Sequence, residues 1–359
     1  MDLPYALISD THLHAWSVFS ELGEDGINSR LRIILDEIVR AATTLKELGG
    51  REIFCAGDVF HVRGSMVPSV LNPSLDVFEA LIRQGFEIMM IPGNHDLEAK
   101  DSARVTNAVT ALEKVGVQVV HKPSLISTSN RVIAMVPWQP SILKLKDAIE
   151  ELGNRAILEG HSPASLDLIV HAPLDGVRAG IPASGLTANI LAELEFKRVF
   201  SGHYHNQVDF GNGVYNIGAM THQTWSDVGS KEGFAIVAGD VVSFYSSKAP
   251  RFVDLANLDD LSSDLQELIS GHYVRARVEI SSEKHLPELR ESLLKSGAAG
   301  VVIHPIKKAS SISRSSSSVA AGASIDESIA EFIKEKEYKE PENLALLCAE
   351  ILDQVRSSI

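Results

Sequence analysis

The stretch KRVFSGHYHN, residues 197–206, decides how the chain reads. An apolar run leads into Gly202, and His203 and His205 follow it, one residue apart. A short apolar run closed by glycine fits a buried strand. Two imidazoles just beyond its carboxyl end raise the question of what they bind. The pattern recurs upstream. LPYALIS (3–9) precedes Asp10 and His12, and REIFCA (51–56) precedes Gly57, Asp58 and His61. FEIMMIP (86–92) precedes Gly93, Asn94, His95 and Asp96, and LDLIV (166–170) precedes His171.

Helical patterns separate several of these runs. Leu31, Ile34, Leu35, Ile38, Ala42, Leu45 and Leu48 follow a 3.6-residue period that ends at Gly49-Gly50. Val105, Val109 and Leu112 repeat it over 102–115, up to Gly116. Strands alternating with helices give an α/β sheet. In such sheets ligands bind outside the carboxyl ends of the strands. The five runs therefore bring carboxylates, an amide oxygen and several histidines to one edge. A tetrahedral zinc takes only four ligands. The surplus points to two metals sharing a carboxylate, and the i, i+2 spacing lets His203 and His205 face different ions. Carboxylate, amide oxygen and neutral imidazole suit manganese, iron or zinc better than calcium. Gly57, Gly93 and Gly202 allow the sharp turns and close backbone approach such a site needs. Later runs, 131–137, 213–218, 233–239 and 241–246, are joined partly by short turns and suggest a second, more antiparallel sheet.

The chain has 359 residues, 45% hydrophobic and 22% charged, an ordinary globular composition with material for about two domains. Its net charge of −14 argues against a protein that coats nucleic acid nonspecifically. The N-terminus carries no basic signal region, and no apolar stretch reaches the length of a membrane span, so no membrane association is expected. Cys55 and Cys348 are the only cysteines, which fits a reducing cytoplasm rather than a disulfide framework.

Beyond residue 250 the pattern changes. HYVRARVEIS (272–281) alternates strictly, with Arg275 and Arg277 on the face opposite Val274, Ala276 and Val278. LPELRESLLKSG (286–297) reads as a helix and GVVIHPI (300–306) as a strand, together a small βαβ unit. A Ser-rich stretch follows as a linker. Ser324 and Glu327 form a capping-box signature, and Ile325, Ile329, Phe332 and Ile333 stripe the helix they open. A last helix begins near Pro341. The expected domains are 1–250, 251–308, a linker at 309–323 and helices at 324–359.

The ordered set of Asp10-Thr11-His12, Gly57-Asp58-Val59-Phe60-His61, Gly93-Asn94-His95-Asp96, His171 and Gly202-His203-Tyr204-His205 resembles the calcineurin-like metallophosphoesterase superfamily. Its motifs run across the first 230 residues or so. The resemblance implies a four-layer αββα sandwich, here with a small C-terminal α+β cap. It implies two divalent ions, Mn2+ first, with Mg2+, Fe2+ or Zn2+ as alternatives. One ion takes Asp10, His12, Asp58 and His205. The other takes Asp58, Asn94, His171 and His203, with Asp58 bridging. In such a site a water acidified by the ions attacks phosphorus in line.

Protein phosphatases of the superfamily carry Asp-Arg-Gly after the second motif and an Arg before the third. Here His61-Val62-Arg63 and Pro92 stand there. The chain is similar instead to SbcD-type nucleases of double-strand-break repair, found in bacteria and phages. That branch implies His95 as the group that stabilises the transition state and protonates the leaving oxygen, with His61 orienting it. It implies a DNA substrate and an SMC-like ATPase partner held by the C-terminal helices, and leaves open a homodimer. A small-molecule or nucleotide phosphodiesterase or phosphatase is the alternative, and a non-catalytic scaffold comes last because every ligand position is filled. Asp96 reads as a loop anchor and His14 as a solvated loop residue. His222 and Trp225 are open between packing and a substrate-side role. The arginines read as a solvated strand face. His121, His161, His272, His285 and His304 read as ordinary surface histidines.

Overall fold

Three strands with buried β-branched, aromatic and sulfur side chains start the first sheet: β1 (Tyr5–Ile8), β2 (Glu52–Cys55) and β3 (Glu87–Met90). The structure is a computed structural model that describes residues 3–99, 107–255, 263–280, 285–307, 324–335 and 340–356. The strands pair in parallel, and β4 (Gln118–Val119) extends them along the free side of β3. A second sheet contains β5 (Ser124–Ser127), β6 (Val132–Val136), β7 (Asp167–His171), β8 (Arg198–Gly202), β9 (Val208–Asp209) and β10 (Val214–Asn216). The chain then returns to the first sheet through β11 (Gly233–Ala238) and β12 (Val241–Ser246). The two orders are β12-β11-β1-β2-β3-β4 and β5-β6-β7-β8-β10-β9.

This corrects the expectation of a separate antiparallel sheet. The strands β6, β7, β8 and β10 all run parallel, with antiparallel strands only at the edges. The runs at 233–239 and 241–246 do not join them. β11 pairs antiparallel with β1, Leu7 opposite Ala235, and β12 closes that edge as a hairpin.

The period-2 alternation of the strands separates three cores. Ala6, Ile8, Ile53, Cys55, Ile88 and Met90 face α1 (Ser29–Glu47) and α2 (Pro68–Arg83). Their alternates, Tyr5, Leu7, Phe54 and Met89, meet Ile133, Met135, Ile169 and Phe200 of the second sheet. The opposite face of that sheet, Ala134, Val136, Leu168, Val170 and Val199, packs on α3 (Ile142–Leu158) and α4 (Ala188–Ala192). The result is the helix–sheet–sheet–helix order that the family resemblance implied. Asn28 caps α1 through the amides of Arg30 and Leu31. The helix expected at 102–115 is a 3-10 helix over Ala108–Val115, ending at Gly116 with φ of 99°; the start of that expected helix, 102–106, lies outside the described residues.

A three-stranded sheet follows, of β13 (Phe252–Leu255), β14 (Tyr273–Ile280) and β15 (Gly300–Lys307). Val274 and Ala276 bury with Ile269 of α5 (Ser263–Ile269) and Leu293 of α6 (Leu286–Lys295). The opposite face is not simply solvated. Arg275 reaches Asp254 at 2.6 Å and lies 4.6 Å over the Trp225 ring, and Arg277 shares the same carboxylate. The chain divides into two compact units, residues 1–278 with 284–304, and 279–283 with 305–359. The second holds α7 (Ile325–Glu335) and α8 (Pro341–Arg356). The Ser324–Glu327 capping box forms: Ser324 N–H donates to Glu327 Oε2 at 2.7 Å, and Glu327 N–H donates to Ser324 Oγ. The expected linker at 309–323 lies outside the described residues. Among the described residues no helix is long and apolar enough to cross a membrane.

Candidate dinuclear metal centre

The five motifs sit at the carboxyl ends of strands from both sheets, not along one edge: β1, β2 and β3 in the first, β7 and β8 in the second. Main-chain bonds zip the first two loops together, with Asp10 N–H to Gly57 O at 2.9 Å and His12 N–H to Asp58 O at 3.0 Å. The two sheets are joined at the site when His203 N–H donates to Asp10 Oδ2 at 3.0 Å. Asp10, His12, Asp58 and His203 take φ of 48°, 42°, 52° and 100°. Such left-handed backbone at a non-glycine residue costs about 1–3 kcal/mol each and persists only where surroundings enforce it. The glycines are needed for contact. A Cβ on Gly93 would lie 2.1 Å from Asp58 Oδ1, and one on Gly202 would lie 2.1 Å from Ser9 Oγ.

Among the described residues the donors fall into three clusters. Asp10, His12 and His205 form the first, Asp58, His171 and His203 the second, and His12, His61 and His95 a third that shares His12 with the first. In the first, His12 Nε2 and His205 Nε2 are 3.3 Å apart. In the second, Asn94 Oδ1 lies 2.8 Å from His203 Nδ1 and 3.2 Å from His171 Nε2. Asp58 lies between them: its Oδ2 is 3.7 Å from His12 Nε2 and 3.4 Å from His171 Nε2. All seven expected ligand residues are thus brought together, and the donor set fits two divalent ions of borderline hardness. Asp10, His12, Asp58 and His171 are buried at the floor, while Asn94, His203 and His205 are partly exposed at the rim.

The electrostatics follow from this crowding. Burial opposes a charge on His171, but the Asp58 and Asp10 carboxylates overcome it and push the ring up to about 9. Asp58 is held well below the carboxylate range, its burial outweighed by His171 and His12. Burial, with His171 beside it, lowers His203 to about 3.

Further groups hold the donors. His171 Nδ1 meets the Ala56 carbonyl at 2.6 Å, and Ser9 Oγ donates to Asp10. Asp96 accepts from the amides of Val59, Phe60 and Gly93, the anchoring role its position suggested. His95 and His61 stand at the rim: their rings are stacked 5.4 Å apart, and His95 Nδ1 is 2.7 Å from the His61 carbonyl. His14 is part of the same wall, 5.1 Å from the His61 ring, not a free loop residue. His222 is buried and structural, contacting Glu232 and accepting from Phe252 N–H. Of the histidines read as ordinary, His121 pairs with Glu113 at 2.7 Å and stands apart from the donor clusters.

Three contributors escaped the sequence reading. Asp227 Oδ1 lies 2.8 Å from His205 Nδ1, Gln223 donates to the Asp10 carbonyl, and Trp138 stacks on His203 at 5.3 Å. Thr224 and Asp227 form a capping box, a local signal that could have drawn attention to Asp227.

A family model agrees with this geometry. The family model described as Calcineurin-like phosphoesterase matches residues 3–207. Exonuclease subunit 1 of Enterobacteria phage T4 is 28% identical over 206 residues, 56% of this chain and 57% of that protein. The match therefore spans little more than half of the phage protein. Among solved structures, a dimetal phosphatase from Danio rerio aligns with TM-score 0.43 and 11% identity, over 69% of this chain and all of that one. The Pseudomonas putida nuclease MPE aligns with TM-score 0.27 and 16% identity, over 59% of this chain and 66% of that one.

Proposed function

The chain belongs to the calcineurin-like phosphoesterase family, and from that premise we propose that it is a metal-dependent DNA nuclease subunit. The observation that carries the proposal is Asp58, whose one oxygen serves the first and second donor clusters beneath the partly exposed His95. Two divalent cations, Mn2+ by preference, would be held by Asp10, His12, Asp58 and His205 and by Asp58, Asn94, His171 and His203. They supply Lewis acidity and local positive charge, enough to draw a phosphodiester to a chain of net charge −14.

The chain's own residues do the rest. Asp58 Oδ1 accepts from the His95 amide at 2.8 Å, which fixes the loop carrying that ring beside the donors. The His61 carbonyl holds His95 Nδ1, leaving Nε2 to stabilise charge on phosphorus and give a proton to the leaving oxygen. The partly exposed rim suits a polymer better than an enclosed metabolite pocket would. The similarity to a phage exonuclease subunit supports DNA as substrate and membership of an SbcCD-like repair or replication complex. Exposed Leu346, Leu347 and Ile351 on α8 support the C-terminal helices as the seat of an SMC-like ATPase. Both free thiols fit a cytoplasmic protein.

The test is cleavage of end-labelled duplex DNA with added Mn2+, beside an Asp58→Ala variant and with bis-p-nitrophenyl phosphate as a small-diester control. DNA degradation that vanishes in the variant supports the proposal. Cleavage of the small diester with DNA intact, even with the ATPase added, overturns it in favour of a small-molecule phosphodiesterase.

A further inference from the structure

His61 has two polar faces, and they serve different residues. Its main-chain carbonyl is bonded to His95 Nδ1 at 2.7 Å. Its ring is not hydrogen-bonded to His95 but stacked on it, with an interplanar angle of 17°. The ring nitrogen Nδ1 instead lies 3.2 Å from His12 Nδ1. His12 in turn points Nε2 into the first donor cluster, toward His205 and Asp58.

The chemistry of imidazole constrains this row. A metal ligand uses the lone pair of one nitrogen, so the proton of a neutral ring sits on the other. With Nε2 of His12 given to an ion, the proton is on Nδ1, and the group facing it is His61 Nδ1. From this geometry we infer that the His61 ring is a positioning residue for the metal ligand His12, accepting its Nδ1–H and fixing its tautomer, rather than the group that orients His95. The inference rests on the metal reading given above and assigns the ring a task within it.

The backbone around His61 is arranged for both tasks. His61 N–H faces the Leu13 carbonyl at 3.4 Å, and Leu13 and Phe60 form a parallel bridge. Trp16 packs on the ring at 4.4 Å and His14 at 5.1 Å, which holds its plane toward His12. A change of side chain at 61 leaves the carbonyl that binds His95.

Two variants separate hydrogen bonding from packing. His61→Asn keeps an acceptor near the Nδ1 position but removes the ring; His61→Phe keeps the ring but removes the acceptor. Metal-stripped full-length chains are titrated with Mn2+ by calorimetry. His61→Phe should lose about 10–100-fold in the affinity for one of two ions, with the other unchanged. His61→Asn should stay close to the parent. A His61→Phe chain that binds both ions like the parent overturns the inference, as does the reverse order of the two variants. Nitrogen NMR of the Zn2+-loaded parent tests the same point without a substitution: a proton on His12 Nδ1 and none on His61 Nδ1 is expected, and the opposite overturns it. A parent chain that binds no ion overturns the metal reading itself, an outcome distinct from two ions bound equally by both variants.

Discussion

Asp227 Oδ1 stands 2.8 Å from Nδ1 of His205, and that carboxylate is 1% exposed. It is the charged backing of one ligand in the first cluster. His171 of the second cluster leans on a neutral carbonyl instead. Burial raises Asp227, but His205 and the amides of Thr224 and Gln223 outweigh it and hold the group down at about 2, so it is an anion at neutral pH. Asp227→Asn should weaken binding of one ion by about tenfold or more while the second is retained. Mn2+ titration of the stripped chain measures this; unchanged affinity at both sites contradicts it.

In the proposed function His95 takes part in the reaction rather than in holding the ions. His95→Asn should abolish turnover with metal content intact, since the His95 ring stands outside the first and second clusters, grouped instead with His12 and His61, and meets Asp58 through its amide. Elemental analysis beside a nuclease assay decides: loss of metal in this variant would make His95 a ligand or structural residue.

Uptake of metal should expel a proton. In the metal-free chain His171 titrates at about 9, raised by Asp58 and Asp10 against its burial, so at pH 7 the ring is charged. An ion needs the neutral ring and competes with that proton. Affinity should therefore climb from pH 7 to about 9 and flatten above. His205 is raised as well, by Asp227, Asp10 and Asp58 against its burial, so calorimetry in buffers of different ionisation enthalpy should find at least one proton released at pH 7. No release contradicts the assignment of His171.

Gly93 cannot accept a side chain. Its Cβ would lie 2.1 Å from Asp58 Oδ1, 2.4 Å from Asp58 N and 2.7 Å from His171 Cε1, all in the buried floor of the site. Gly93→Ala should cost about 1–3 kcal/mol of stability and also displace the shared carboxylate. A melting curve with a parallel metal assay checks both; a variant equal to the parent in each would refute the packing argument.

Far from the ions, Asp167 accepts from Tyr5 Oη at 2.5 Å and from Arg198 at 2.7 and 2.9 Å, tying the two sheets together. Removing it strands a largely buried guanidinium. Asp167→Ala should destabilise by about 3–5 kcal/mol, and Tyr5→Phe by about 1 kcal/mol. Denaturant midpoints measure both, and metal binding by the folded fraction should not change.

The legible parts of this site were local ones. Gly57-Asp58 or Gly202-His203 directly after an apolar run states a strand end and a donor within a few residues. The helix over Ser29–Glu47 was equally readable from its period. What could not be read depends on contacts between distant segments. Nothing near Gly233–Ala238 marks it as the partner of β1, and that pairing sends the chain back to the first sheet. Trp138 meets His203 only because the loop after β6 lies beside β8's end. Arg275 looked solvated by alternation, yet Asp254 and Trp225 from other segments cover it.

The central claim is a pair of ions sharing Asp58. The most direct measurement is the number of Mn2+ ions bound per chain, by calorimetry and elemental analysis, for the parent and Asp58→Ala. The account predicts two for the parent and loss of both tight sites in the variant, because that oxygen faces the first and second clusters. One ion in the parent, or two retained without Asp58, would contradict it.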